Sequence, residues 1–263
     1  MILEQIGSQC IQGINCPVMT WSKSMKDILE EFSSNLSQFK KPCVLKFDES
    51  YTKTFTLNLS DNYQLTKSDI VLIDSFNSIL LNEELYILKG LITDKISFNT
   101  LHYFFSYLHD IMSIHFRSKV CTLYAPLGET GETGFEFPPH FDLYAQKMLL
   151  LIYNDISHEA EGNPTLLSIK KFKSILESHD LKGKDIILKT ISKELETDHY
   201  DLIINTLYSD ENMWIKDVLF EESIKLPVKT GDGFICNDRK WLHGRQNQKY
   251  HISQQRLIRF VFN

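Results

Sequence analysis

Phe137-Pro138-Pro139-His140-Phe141-Asp142 is the stretch on which the reading of this chain turns. A second stretch, Gly231-Asp232-Gly233-Phe234-Ile235-Cys236-Asn237-Asp238, runs on to Trp241-Leu242-His243-Gly244-Arg245. His140 and Asp142 are two residues apart, so on a β-strand both side chains point to one face. His243 supplies a second imidazole from far downstream. Two imidazole nitrogens and one hard carboxylate oxygen on one side of a metal, with the other positions open, suit Fe(II). The open positions are where a chelating small molecule and O2 can bind. An H-x-D with one distant histidine arises by chance in many chains, and a lone histidine is more often a surface or hydrogen-bonded structural residue. Three further features carry the reading.

The first is the setting of His243. A Gly-Asp turn feeds an apolar strand, a short polar reversal follows, and the next strand presents the histidine. As a hairpin this would swing His243 across to the strand of His140; the plainer alternative is a surface hairpin with an incidental histidine. The second is the C-terminal run Arg256-Leu257-Ile258-Arg259-Phe260-Val261-Phe262-Asn263, apolar apart from its arginines, in which a charge needs a partner. A dicarboxylate that chelates a metal at one end needs a cation at the other, and a guanidinium pairs bidentately and never loses its charge. Strand alternation allows only one of Arg256 and Arg259 to point inward, and Arg256 is favoured. The third is Gly162-Asn163-Pro164-Thr165, a tight turn that places a hydroxyl at the start of a strand; threonine also stands there for β propensity alone.

The 263 residues fit one domain with an elaborated insert, and 43% apolar residues allow a sizeable core. A net charge of −6 without a Lys/Arg cluster argues against nucleic acid as a partner. No apolar run reaches the roughly 18 residues of a membrane span. Five scattered cysteines without a C-x-x-C suit a reduced interior better than a disulfide framework. The first residues lack the basic start and apolar core of a secretion signal, so the cytoplasm is the expected compartment.

Along the chain, residues 1–21 show no clear period and read as an irregular lead-in. Met25, Ile28, Leu29, Phe32, Leu36 and Phe39 follow a helical stripe from Ser24, ended at Lys40-Lys41-Pro42. Strands are expected over 43–47, 52–59 and 68–75, and helices over 81–92 and 98–116. Further strands are expected over 119–125, 147–153 and 165–168, then a helix over 169–178. Residues 181–222 read as mixed helix and strand. Strands over 223–228, 233–236, 241–245 and 256–262 complete the set. The expectation is a single domain over 1–263: an N-terminal helical and β support over 1–118, and a β-rich core over 119–263 with an insert at about 169–222.

Taken together, H-F-D at 140–142, G-N-P-T at 162–165, G-D-G-F-I-C-N-D-R-K-W-L-H-G-R at 231–245 and the arginine strand at 256–259 resemble the Fe(II)/2-oxoglutarate-dependent oxygenases. The likeness is to the taurine dioxygenase/clavaminate synthase-like branch and covers residues 119–263. It implies a mainly β, α+β fold with a double-stranded β-helix (jelly-roll) core behind an N-terminal helical buttress. It implies Fe(II) on His140, Asp142 and His243, and 2-oxoglutarate held by Arg256 or Arg259 with Thr165 assisting. The chain departs from the family pattern in having Asn163 where a second glycine is usual, and arginines three rather than four residues apart.

The activity so implied is a dioxygenase that uses O2 to oxidise an unactivated C–H bond of a small molecule, with hydroxylation the expected outcome. The Asp142 carboxylate fills the position that a chloride would need, which argues against halogenation. Glu129, Glu132 and Glu136 precede the site and could draw a cationic amino acid or amine, although a solvated acidic loop explains them as well. A free amino acid or related metabolite is the first expectation for substrate. The alternatives are a JmjC or cupin-like hydroxylase of protein side chains, and a non-catalytic metal-binding jelly roll.

Overall fold

A computed structural model describes residues 2–35, 63–81, 85–116, 121–124, 137–141, 148–154, 164–192, 198–245 and 256–262. The chain opens with β1 (Leu3–Ile11) and β2 (Ile14–Trp21), an antiparallel pair rather than the irregular lead-in expected. Gln12 and Gly13 join them with φ of 49° and 78°, the doubly positive pattern of a tight hairpin turn. The strands hide from a periodicity reading because β1 is an edge strand with five of its nine residues exposed.

Helix α1 (Lys23–Ser34) follows, with Ser22 accepting from the Met25 N–H at its N-cap, and Met25 and Leu29 on the buried side. Helix α2 (Lys67–Leu81) occupies the segment expected to be a strand over 68–75. The overlooked signal is a reciprocal cap: the Thr66 N–H donates to Asp69 Oδ2 at 2.7 Å, and the Asp69 N–H donates to Thr66 Oγ1 at 3.2 Å. From there Ile73, Phe76 and Ile79 form its buried stripe. Strand β3 (Tyr86–Leu88) replaces part of the helix expected over 81–92. It runs between β2 and β9 (Gly233–Cys236) with all three side chains buried, so its apolar residues carry no alternation that could be read. Helix α3 (Phe98–Phe116) is as expected.

The remaining elements are β4 (Cys121–Tyr124), β5 (Phe137–His140), β6 (Met148–Asn154), β7 (Pro164–Ser168), α4 (Ile169–Ser178), α5 (Lys184–Ser192), α6 (Asp198–Leu207), α7 (Ile215–Glu222), β8 (Ile224–Lys225), β10 (Trp241–Arg245) and β11 (Arg256–Phe262). The described part of 181–222 is helical, without the strands expected there. The strands expected over 43–47 and 52–59 and the acidic loop before His140 lie outside the described residues.

Two sheets result, one ordered β1-β2-β3-β9-β6-β11-β4 and the other β5-β10-β7-β8. Alternation along the strands assigns their faces. Leu149, Leu151, Tyr153, Phe234 and Cys236 of the large sheet share a core with Leu166 and Trp241 of the small one. Leu150, Ile152, Ile258 and Phe260 point the other way, onto α1, α2 and α3. Leu167 and Leu242 point outward from the small sheet onto α4–α7. The fold is therefore mixed α and β in four layers, with helices covering the outer face of each sheet. Its helical share exceeds the mainly β expectation.

Two glycines let β9 enter the large sheet. A side chain on Gly233 would put its Cβ 1.9 Å from the Leu151 carbonyl oxygen, and Gly231 has φ of 86° with the Ile92 amide nitrogen 2.6 Å from where its Cβ would lie. Between them Asp232 accepts from Lys89 Nζ at 2.8 Å, the Gly90 N–H at 3.1 Å and the Lys229 N–H at 3.0 Å. The Gly-Asp-Gly motif is thus a joint of the backbone.

Candidate metal centre

The segment after β9 is not the hairpin expected. β9 and β10 belong to different sheets, and the reversal between them carries the chain from one to the other. Asn237 shapes that reversal: its Oδ1 accepts from the Arg239 N–H at 2.9 Å and its carbonyl from the Lys240 N–H at 2.9 Å. The outcome for the histidines is the one expected. β10 lies antiparallel to β5 with His243 directly opposite His140. The two rings stand 4.6 Å apart between centroids, inclined at 49°.

His140 sits at the end of an edge strand, the place in a sheet where Pro138 and Pro139 are tolerated without an N–H to donate. Its Nδ1 lies 2.7 Å from the Pro138 carbonyl oxygen. A carbonyl only accepts, so Nδ1 holds the proton and Nε2 is the lone-pair nitrogen, the tautomer that ligation through Nε2 requires. His243 is buried, and its Nδ1 lies 3.3 Å from Oδ1 of Asp238, a carboxylate with no exposed surface. A carboxylate behind an imidazole is a common support for a metal ligand. Asp238 stands in what the sequence shows only as a polar reversal, and its burial is what marks it out.

Asp142, the third expected ligand, lies outside the described residues. Among the described residues no group of three His, Cys, Asp or Glu side chains could hold a metal ion. The paired imidazoles, with one ring fixed in the ligating tautomer, fit two nitrogen positions of an Fe(II) site.

Two arginines and a tyrosine line the inter-sheet core nearby. Arg259 pairs with Leu151 across β11 and β6, which sets it on the face that Leu151 and Tyr153 share. Arg245, two residues after His243, falls on the same side of β10 as the histidine. Burial pushes the Tyr153 hydroxyl above its ordinary pKa while the charges of Arg245 and Arg259 pull it down. Burial likewise lowers Arg245, and Tyr153 opposes the shift. Both guanidinium groups are therefore within electrostatic reach of one phenol. Tyr153 and Arg245 were not singled out from the sequence, since a tyrosine ending an apolar strand and the arginine of H-G-R carry no spacing signal of their own.

Arg256 pairs with Asn154, and its side chain lies outside the described residues. Thr165 is fully buried, and its hydroxyl has no hydrogen-bond partner among the described residues. It pairs with Gly244, while His243 pairs with Leu166. Alternation puts Thr165 on the side of β7 that Leu167 turns toward the helices.

No family model matches this chain, and no curated protein matches it. Among solved structures it is similar to asparagine oxygenase (AsnO), with 9% identity over 93% of this chain and 92% of that one and a TM-score of 0.47. The non-heme iron oxygenase OrfP, in complex with Fe and alpha-ketoglutaric acid, is 10% identical over 94% of this chain and 93% of that one, with a TM-score of 0.44. The PvcB protein from Pseudomonas aeruginosa is 9% identical over 99% of this chain and 91% of that one, with a TM-score of 0.42. Identities and scores this low leave the reading of the chain to its own site.

Proposed function

We propose that this protein is an Fe(II)- and 2-oxoglutarate-dependent dioxygenase built on a jelly-roll core, with His140, Asp142 and His243 as metal ligands. The observation that carries the reading is His140 directly opposite His243, with rings 4.6 Å apart and His140 Nδ1 committed to the Pro138 carbonyl. Arg259, inward-facing and beside Tyr153, holds the far carboxylate of 2-oxoglutarate in place of the Arg256 favoured from sequence. The Thr165 hydroxyl, on the alternate face, is left out of that contact.

Fe(II) with chelated 2-oxoglutarate and O2 supplies the power to oxidise a C–H bond, and hydroxylation of a small metabolite such as a free amino acid is the reaction assigned. The chain's own residues bind and orient. The imidazoles of His140 and His243 would present nitrogens to the metal, Asp238 stands behind His243, and Arg259 would pair with the far carboxylate of the co-substrate. The core between the sheets keeps water away from these groups.

The test is anaerobic addition of Fe(II) and then 2-oxoglutarate to the wild type and to His140→Ala. A visible charge-transfer band in the first and none in the second is expected. No band in either removes the dioxygenase reading.

A further inference from the structure

We propose that Tyr208 is a positioning residue for the metal-binding strand: its phenol, delivered from the end of α6, fixes the Pro139 carbonyl and through it the backbone that presents His140. The proposal deepens the reading of His140 as a metal ligand and rests on it. β5 is a four-residue edge strand whose one sheet partner among the described residues is β10, and the register shifts between the His243 and Arg245 steps. Pro138 and Pro139 have no N–H, so half of the strand cannot donate to a ladder. What these prolines offer is carbonyls, and both are taken by side chains. The Pro138 carbonyl accepts from His140 Nδ1, and the Pro139 carbonyl accepts from the Tyr208 hydroxyl.

The second contact reaches His140 by covalent geometry. The Pro139 carbonyl and the His140 amide nitrogen lie in one rigid peptide plane, so holding the oxygen limits how the plane can rock and how the His140 Cα is aimed. Tyr208 is itself well anchored, because its N–H donates to the Ile204 carbonyl at 2.9 Å and closes the last turn of α6. Burial keeps its hydroxyl protonated well above the ordinary range, so it remains a donor at any working pH. On the other side of His140, Phe141 is buried among the helices, 6.2 Å from the ring of Phe172. The helical segment expected to be a mere insert therefore grips the ligand strand on both sides of the histidine.

The test compares wild type, Tyr208→Phe and Tyr107→Phe. The last is a control that removes a half-buried hydroxyl bonded to Asp69, in the N-terminal helical layer. Two quantities are read. One is the anaerobic dissociation constant for Co(II), and the other is the His140 ring tautomer in metal-free protein by nitrogen-15 NMR. The expected result is about tenfold weaker Co(II) binding in Tyr208→Phe, with a mixture of tautomers at His140, and neither change in Tyr107→Phe. Unchanged affinity and an unchanged Nδ1–H tautomer in Tyr208→Phe overturn the proposal, as does an equal loss of affinity in the control. Absence of Co(II) binding in the wild type strikes at the metal reading, and the tautomer measurement still decides whether Tyr208 sets the ring.

Discussion

Asp238 Oδ1 lies 3.3 Å from Nδ1 of His243, and the carboxylate is shut off from solvent on a reversal joining the two sheets. A buried carboxylate needs a partner, and under the proposed metal reading its task would be to support His243 from the side away from the metal. Asp238→Asn is expected to weaken Fe(II) or Co(II) binding by about 10-fold to 100-fold, the usual loss for an outer partner of a ligand. Equilibrium dialysis under anaerobic conditions checks this. Affinity equal to the wild type would remove Asp238 from the site.

The two late arginines separate cleanly by experiment. Arg259 shares the inner face with Leu151 and Tyr153, so Arg259→Leu is expected to raise the Kd for 2-oxoglutarate by about 30-fold or more, for loss of a buried charge-assisted pair of roughly 2–5 kcal/mol. Arg256→Leu is expected to change it by less than about threefold, because the register of β11 sets Arg256 on the face opposite Arg259. Thr165→Val, on the alternate face, is expected to leave it unchanged. Titration of the visible band of the Fe(II) complex reads all three. The reverse ranking of the arginines would restore the order favoured from sequence.

The two arginines show where the sequence stopped being legible. Alternation says that Arg256 and Arg259 differ in face, but only the pairing of β11 with β6 says which face is inward. The histidine pair was legible because His140 and His243 each sit on a short strand, and β10 and β11 have the bounds expected of them. Tyr208 was not legible, because its contact with Pro139 joins segments far apart in the chain, and Asp238 was not, because its burial rather than any spacing marks it out. The errors of secondary structure have local causes. Residues 68–75 read as a strand since their apolar run outweighed the Thr66–Asp69 cap, and β3 read as a helix since it is buried on both faces. The hairpin of β1 and β2 was missed because Gln-Gly is a rarer signal than Asn-Gly for the same turn.

Gln12 does more than turn that hairpin. Its Nε2 donates to the Glu222 carbonyl at 2.8 Å, and its Oε1 accepts from the Ser168 N–H at 2.9 Å. The side chain thereby ties the hairpin tip to the start of α4 and the end of α7. Gln12→Gly keeps a residue at ease with φ of 49° and removes only the side chain. The expected loss is about 1 kcal/mol, or about 2–4 °C in Tm for a chain of this size. A thermal melt unchanged by the substitution would show both contacts to be without net value.

His102, in α3 and 3% exposed, makes stability depend on pH in a definite direction. Burial holds its pKa down to about 4, against an ordinary value of 6.5. Above pH 6.5 the ring is neutral folded or unfolded and contributes no slope. Between about 6.5 and 4 the unfolded chain binds the proton and the folded one does not, so stability falls as pH falls. The whole shift corresponds to roughly 3 kcal/mol at about 1.4 kcal/mol per unit, an upper figure that is complete only below the folded value. Near pH 5 about 2 kcal/mol of it is lost. His102→Phe, which keeps the ring in contact with Phe98 and Tyr103, is expected to flatten this part of the stability profile. Denaturant midpoints at pH 7 and pH 5 measure the difference, and a wild-type drop that persists undiminished in the variant would place its origin in other groups.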